Sequence, residues 1–180
     1  MILHDVWQKS FSFFKKTVVV ETGDELLTSD AGLLPIRQFD EHLGLTRRFT
    51  EQLHDSRNQP THSQLEMVRS RVFGILAGYE DQNDHDALRS DPAFKLIANR
   101  SPDGLDLASQ PTLSRFENSI TARMLLNLEA WFIAEFAKSF REVPQRLTLD
   151  VDTFDDPTHG QQQLTFFMAT TSSINIKCAW

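Results

Sequence analysis

Cysteine is almost absent from this chain of 180 residues, in which Cys178 is the single one. This scarcity excludes an internal disulfide framework and is typical of proteins from a reducing compartment. Long apolar runs are missing too, since none approaches the roughly 20 residues that a membrane-spanning helix needs. The segment 1–16 has a short apolar patch, but it carries Asp5 and lacks a small-residue cleavage site, so we interpret it as a surface-packing segment and not as a signal peptide. We therefore expect a cytoplasmic protein with no membrane partner.

Positive charge is also in short supply. Lysine and arginine together number 18 against 25 aspartates and glutamates, which gives a formal net charge of −7. A free-standing nucleic-acid binder usually shows a basic footprint, so this balance argues against that class, although it leaves room for local basic faces. What is present is an ordinary globular composition, with 40% hydrophobic and 24% charged residues, and a length sufficient for one or two domains.

The first part of the chain begins with a short strand pattern and continues with helical patterns. The β-branched run Val18–Val20 predicts a strand. The residues Thr28-Ser29-Asp30 are typical helix caps, and Gly44 stands where a residue just past a helix end belongs. Between them, three apolar residues follow helical spacing: Ile36, Phe39 and Leu43. A second helix, from about 46 to 54, is predicted to bury Phe49 and Leu53.

The clearest helix starts after a polar loop that ends near Pro60. Ser63 and Glu66 have the spacing of a capping box, and Gly78 ends the pattern. We predict that this helix has one apolar face, formed by Leu65, Val68, Val72, Ile75 and Leu76.

Three more helices are predicted before residue 143. Asp91-Pro92 and Ser109-Gln110-Pro111 each place cap residues before a proline, which opens helices over about 92–98 and 112–120. A long helix follows over about 122–140, with a stripe of Leu125, Leu128, Phe132 and Phe136.

After Pro144 the period of the pattern changes from helix to strand. Leu147, Leu149 and Val151 alternate with polar residues, which puts Asp150 and Asp152 on the same face of a predicted strand. We therefore expect a mainly α protein, with a helical domain over 1–143 and the start of a second domain over 144–167.

Five segments, taken in order, resemble one protein family. They are Leu27–Gly32, Gly78–Asp86, Leu88–Pro92, Ala108–Asn118 and Leu149–Thr153, the last continuing through Asp155–Gln162. Together they are similar to the DDE transposases of bacterial insertion sequences, in the branch distantly related to piggyBac elements, and the resemblance covers about residues 18–167.

The resemblance implies an RNase-H-like catalytic core preceded by a helical DNA-binding region. In that family three carboxylates hold two divalent metal ions, Mg²⁺ or Mn²⁺, which clamp the attacking and leaving oxygens during DNA cleavage and strand transfer. Segment 144–167 is then the first strand region of an incomplete α/β core. The implied partners are the DNA of insertion-sequence terminal repeats, a second copy of the chain or an intact transposase, and the implied location is the nucleoid.

The resemblance also points to the first catalytic carboxylate. We favour Asp152 as catalytic residue and metal ligand, because Asp152, Thr153 and Gly160 match the family's pattern of an aspartate, a hydroxyl-bearing residue and a later glycine. Asp150 is kept as a neighbouring or alternative ligand. The alternative interpretation is that both are solvated acids at a strand end.

Polar residues after Pro111 are candidates for DNA contact. Thr112, Ser114 and Arg115 lie on a helix that, with the helices before it, fits a helix-turn-helix-like reader, in which Arg115 contacts a phosphate or a guanine edge. Arg47 and Arg48 are further candidates for phosphate contacts. The competing interpretation is a surface helix with simply solvated charges.

The resemblance stops after Phe166-Phe167. Suitable codons for Met168–Thr171, shifted by one base, read His-Gly-Tyr-Tyr, which is how the related proteins continue. We therefore expect residues 168–180 to be an out-of-frame tail produced by a one-base deletion, with a programmed frameshift as the alternative. The chain is then a truncated transposase with one of its three carboxylates, and it acts as an inactive fragment, a DNA-binding repressor of transposition or a pseudogene product.

Overall fold

The computed structural model describes residues 9–13, 16–20, 27–142 and 144–148. The chain divides into two compact units, 1–141 and 142–180, and the elements below belong to the first. Asp150, Asp152 and the tail over 168–180 lie outside the described residues, as does most of the strand predicted around them.

The described part of the chain is mainly helical and begins with a hairpin. Strands β1 (Lys9–Phe13) and β2 (Lys16–Val20) pair antiparallel, with Phe11 opposite Val18. Seven α-helices and one 3₁₀ turn, Gln82–Asp84, follow: α1 Leu33–Leu43, α2 Leu45–Thr50, α3 Gln64–Leu76, α4 His85–Leu88, α5 Pro92–Ile97, α6 Gln110–Asn118 and α7 Ala122–Lys138. None of these described helices is long and apolar enough to cross a membrane.

Several helix ends are fixed by local chemistry. The Ser63 side chain accepts a hydrogen bond from the Glu66 amide, and the Asp91 side chain accepts one from the Phe94 amide, directly before Pro92. Both starts agree with the sequence patterns. Gly44 adopts a left-handed φ of 65°, and its N–H bonds to the Asp40 carbonyl, which ends α1.

Two predicted caps are used differently. Helix α1 begins only after Gly32, without a side-chain cap, and the Thr28 hydroxyl bonds to Asp91 instead. The Ser109 side chain bonds to Thr112 and not to a helix amide. A tertiary partner thus competes with the cap at Thr28, and a neighbouring side chain competes with it at Ser109.

The apolar residues that follow helical spacing in α1 do not form its buried face. Ile36, Phe39 and Leu43 are 45%, 63% and 45% exposed, whereas the buried residues of this helix are Leu33, Leu34, Arg37 and Asp40. Arg37 is buried because its Nε donates to the Ile97 carbonyl at 2.9 Å and its Nη2 donates to Glu41. Hydrophobic periodicity does not detect a buried face that contains paired charges.

The predicted faces of α3 and α7 are correct only in part. Val68 and Leu128 are buried and pack with Leu53, and the predicted burial of Leu53 is confirmed. The other residues of both predicted stripes are exposed or half-buried. The exposed ones are Val72, Ile75, Leu76, Leu125, Phe132 and Phe136. Met67, Phe73 and Trp131 are buried instead.

The largest core cluster is built around the short helix α5. Phe94 and Ile97 are fully buried and pack with Leu34 of α1, Phe73 of α3 and Leu107 of the loop before α6. Burial of each such side chain contributes about 1.5–3 kcal/mol. Because α5 is held from several sides, it fixes the positions of the helices that carry the polar groups described next.

Candidate functional site

Helix α6 carries the polar residues that the sequence singled out, and one apolar residue anchors it. Leu113 is fully buried and packs against Met67 and Ala108. Thr112 and Ser114 are half-buried, and Arg115 is exposed. The helix therefore has one side in the core and one side open to solvent.

The start of α6 is held by the acidic segment, residues 79–86, which ends within α4. A carboxylate oxygen of Asp86 accepts a hydrogen bond from the Gln110 amide at 3.1 Å. This amide belongs to the first turn, where helix N–H groups have no partner within the helix. Asp86 thus caps α6 from a distant part of the chain.

The end of α6 is clamped through Glu117. Its carboxylate accepts from Arg71 Nε at 2.7 Å and from the side-chain amide of Gln82. Arg71 also donates to the Glu80 carbonyl at 3.2 Å. Helix α3 and the acidic segment therefore hold the orientation of α6 at both of its ends.

His85 lies beneath this clamp and is 2% exposed. Burial, and then the nearby Arg71 guanidinium, lower the pKa of His85, so the ring is neutral and Nε2 accepts from Arg71 Nη1 at 3.2 Å. A Cβ atom at Gly74 would lie 3.0 Å from Nε2. Glycine lets the ring approach the helix, and a Cβ atom there would push the ring away by a few tenths of an ångström.

The acidic segment stabilises the local structure. Asp81 caps the 3₁₀ turn by accepting a hydrogen bond from the Asn83 amide. Asp86 caps α6, and His85 accepts a hydrogen bond from Arg71. Within the residues that the structure describes, no group of three His, Cys, Asp or Glu side chains is placed to hold a metal ion. The described residues therefore include no candidate ligand group for the divalent ions that the resemblance implies.

Arg115 is an exposed cation of α6. Its Nη2 donates to the Thr112 hydroxyl at 3.1 Å, and it forms no ion pair with any residue of the described part. Ser114 is engaged differently, since its carbonyl oxygen accepts from the Asn118 side chain at 2.8 Å. The guanidinium of Arg115 is therefore available to an external anion.

Arg115 opens onto a groove with a volume of about 380 Å³. Phe116 and Met124 form its apolar part. Its polar lining comes from the loop between α2 and α3, from the first residue of α3, from α6 and from the turn between α6 and α7: His54, Asp55, Ser56, Arg57, Gln64, Thr112, Ser119 and Thr121. The groove thus combines hydroxyl and guanidinium donors with an apolar floor.

The loop side of the groove was not predicted from the sequence. Arg57 donates to both carboxylate oxygens of Asp55, at 2.8 Å each, and this hydrogen bonding lowers the pKa of Asp55. Both residues precede α6 by more than fifty positions. No local spacing signal connects them with Arg115.

Arg47 and Arg48 lie on α2 and do not line the groove. Arg47 pairs with Glu41 at 3.0 Å, and Arg48 pairs with Glu135 of α7 at 2.9 Å. Their charges are therefore partly neutralised within the chain, and a phosphate would have to compete with these carboxylates.

The segments that resemble the transposases, within the described residues, contact one another. The Thr28 hydroxyl donates to Asp91 at 3.1 Å, and the Tyr79 hydroxyl donates to Asp30 at 3.2 Å. The contacts of the acidic segment with α6, given above, join the remaining pieces. These segments consequently pack together and position α6.

Comparison with known proteins agrees with this pattern. The sequence profile of the family described as transposase DDE domain, group 1, matches residues 11–172. No curated protein and no solved structure matches the chain.

Proposed function

This chain belongs to the DDE transposase family, and from that premise we propose that it supplies the helical DNA-holding region and the first catalytic aspartate of a transposase. In full-length members of this family we expect metal-dependent cleavage and strand transfer at insertion-sequence ends. The observation that carries the DNA-holding role is the exposed Arg115, which has no carboxylate partner within the described part of the chain and opens onto the groove.

A matched pair of substitutions tests this role. We expect Arg115→Gln to weaken binding of the full chain to a fluorescent DNA duplex and to reduce its salt dependence by about one counterion. Lys138→Gln removes one positive charge at the far end of α7, which is about 20 Å from the groove end of that helix at a rise of about 1.5 Å per residue. It should change affinity little, and equal losses from the two variants would contradict a specific role for Arg115.

For catalysis we propose Asp152 as the first metal ligand, with Asp150 as its neighbour or alternative. Carboxylates are suitable oxygen ligands for Mg²⁺ or Mn²⁺, but one carboxylate cannot hold two such ions against their hydration. The resemblance places the first of the three carboxylates within residues 1–180, so a polypeptide limited to these residues should not perform strand transfer. Cleavage of an end-containing DNA with Mg²⁺ or Mn²⁺ that is lost in Asp152→Ala would overturn this expectation.

A second candidate function is repression of transposition. The groove beside Arg115 is a candidate DNA surface, and it supports a binding role whether or not the chain cleaves DNA. The chain would then compete with an intact transposase for terminal repeats, alone or as a mixed dimer. Co-expression should lower the transposition frequency of an intact element, and Arg115→Gln should restore it.

The origin of residues 168–180 is a separate proposal. We propose that they are read out of frame, because an adjacent reading of suitable codons gives the His-Gly-Tyr-Tyr continuation of related proteins. The gene sequence decides between this proposal and an in-frame origin. If no frame downstream of the Phe167 codon encodes a continuing catalytic core, the proposal fails.

A further inference from the structure

Two walls of the groove carry guanidinium groups, and they differ in how those groups are held. Arg115, from α6, is bonded only to a neutral hydroxyl among the described residues. Arg57, from the loop after α2, is bonded to Asp55 through Nε and Nη2 at 2.8 Å each. One cation is thus open to an anion, and the other is covered by a carboxylate of its own loop.

The ion pair between Asp55 and Arg57 is weak, although its hydrogen bonds are short. Both residues belong to the exposed loop, and the Arg57 and Asp55 side chains are 37% and 28% exposed. Exposed ion pairs contribute little to stability because water screens them. Two oxygens of a tetrahedral phosphate can accept two parallel N–H bonds from arginine, as the two oxygens of a carboxylate do, so a phosphate can exchange with Asp55 without loss of hydrogen bonds.

The other groups around the groove also favour an anion. Thr112 lines it, and so does Thr121, which caps the first turn of α7; the Ser119 hydroxyl also lines it but donates to the Phe116 carbonyl at 2.6 Å. Helix α7 has 17 residues, and the amides at the start of a helix favour negative charge. Asp55 is the one carboxylate among the lining residues, and it opposes this tendency.

We infer that this groove binds a phosphate of the DNA backbone between Arg115 and Arg57, and that Asp55 is a gate that leaves Arg57 when the phosphate enters. The inference rests on the proposed DNA-holding role and specifies its site. Asp55 lowers the affinity of the free groove for anions and so restricts binding to ligands that engage both walls.

The gate predicts a substitution that strengthens binding. Asp55→Asn removes the competing charge while keeping the size of the side chain, so the affinity of the full chain for a short fluorescent DNA duplex should rise roughly two- to fivefold, the range set by an exposed ion pair. Asp103→Asn is the matched control, because Asp103 is an exposed acid that does not line the groove. Arg57→Gln should weaken binding even though it leaves Arg115 in place.

The outcomes separate this inference from the proposed function. If Arg115→Gln weakens binding but Asp55→Asn behaves like Asp103→Asn, the gate is overturned and the DNA-holding role stands. If Arg57→Gln binds as well as the unaltered chain, the second wall plays no part and the inference fails. If the unaltered chain and all variants fail to bind the duplex, the proposed role and the gate fall together.

Discussion

At the scale of single residues, His85 links the stability of the molecule to pH. Its pKa in the folded chain lies below the ordinary value of 6.5, because burial and then Arg71 disfavour the charged ring. Above about pH 6.5 the ring is neutral in both states. As the pH falls below that value, the unfolded chain takes up a proton that the folded chain resists, so the free energy of unfolding should decrease until the lower folded pKa is passed.

Urea unfolding between pH 7.5 and 5 checks this prediction when the unaltered chain is compared with His85→Gln. Glutamine can still accept a hydrogen bond from Arg71 but does not titrate, so the variant should lose less stability over this window. Parallel curves for the two proteins would show that other groups cause the acid sensitivity.

At the scale of elements, the sequence predicted helix ends better than buried faces. Ser63, Asp91 and Gly44 act on amides or carbonyls within a few residues, and such chemistry is visible in a short window. The buried side of α1 depends on Arg37 meeting the Ile97 carbonyl sixty positions away, which no local pattern contains. The groove combines Arg115 with Arg57 for the same reason, so only its α6 side was predicted.

Burial of Leu113 leads to a prediction about the docking of α6. Leu113→Ala should destabilise the chain by about 2–5 kcal/mol, because it removes a fully buried side chain and leaves a cavity against Met67 and Ala108. Leu126→Ala, at a position 65% exposed on α7, should change stability by less than about 0.5 kcal/mol. Denaturant unfolding measures both changes, and similar costs would mean that α6 is not anchored through Leu113.

At the scale of the whole molecule, local and global charge act against each other. The formal net charge of −7 repels a polyanion, whereas the groove offers Arg115 and Arg57 to it. Many arginines elsewhere in the described part are already paired with carboxylates, as Arg47, Arg48 and Arg71 are. A DNA contact made by this part of the chain should therefore neutralise few phosphates.

The number of neutralised phosphates sets how steeply DNA affinity falls with salt. Each one contributes a slope of about −0.9 to the logarithm of the binding constant against the logarithm of salt concentration, so the single phosphate held between the two arginines predicts a loss of about three- to fourfold between 50 and 200 mM salt. Fluorescence anisotropy at several salt concentrations measures this slope. A loss of about a thousandfold would require six or more phosphate contacts, and the DNA-holding surface would then have to extend well beyond the groove. No loss at all would mean that the guanidinium groups of the groove do not meet phosphate.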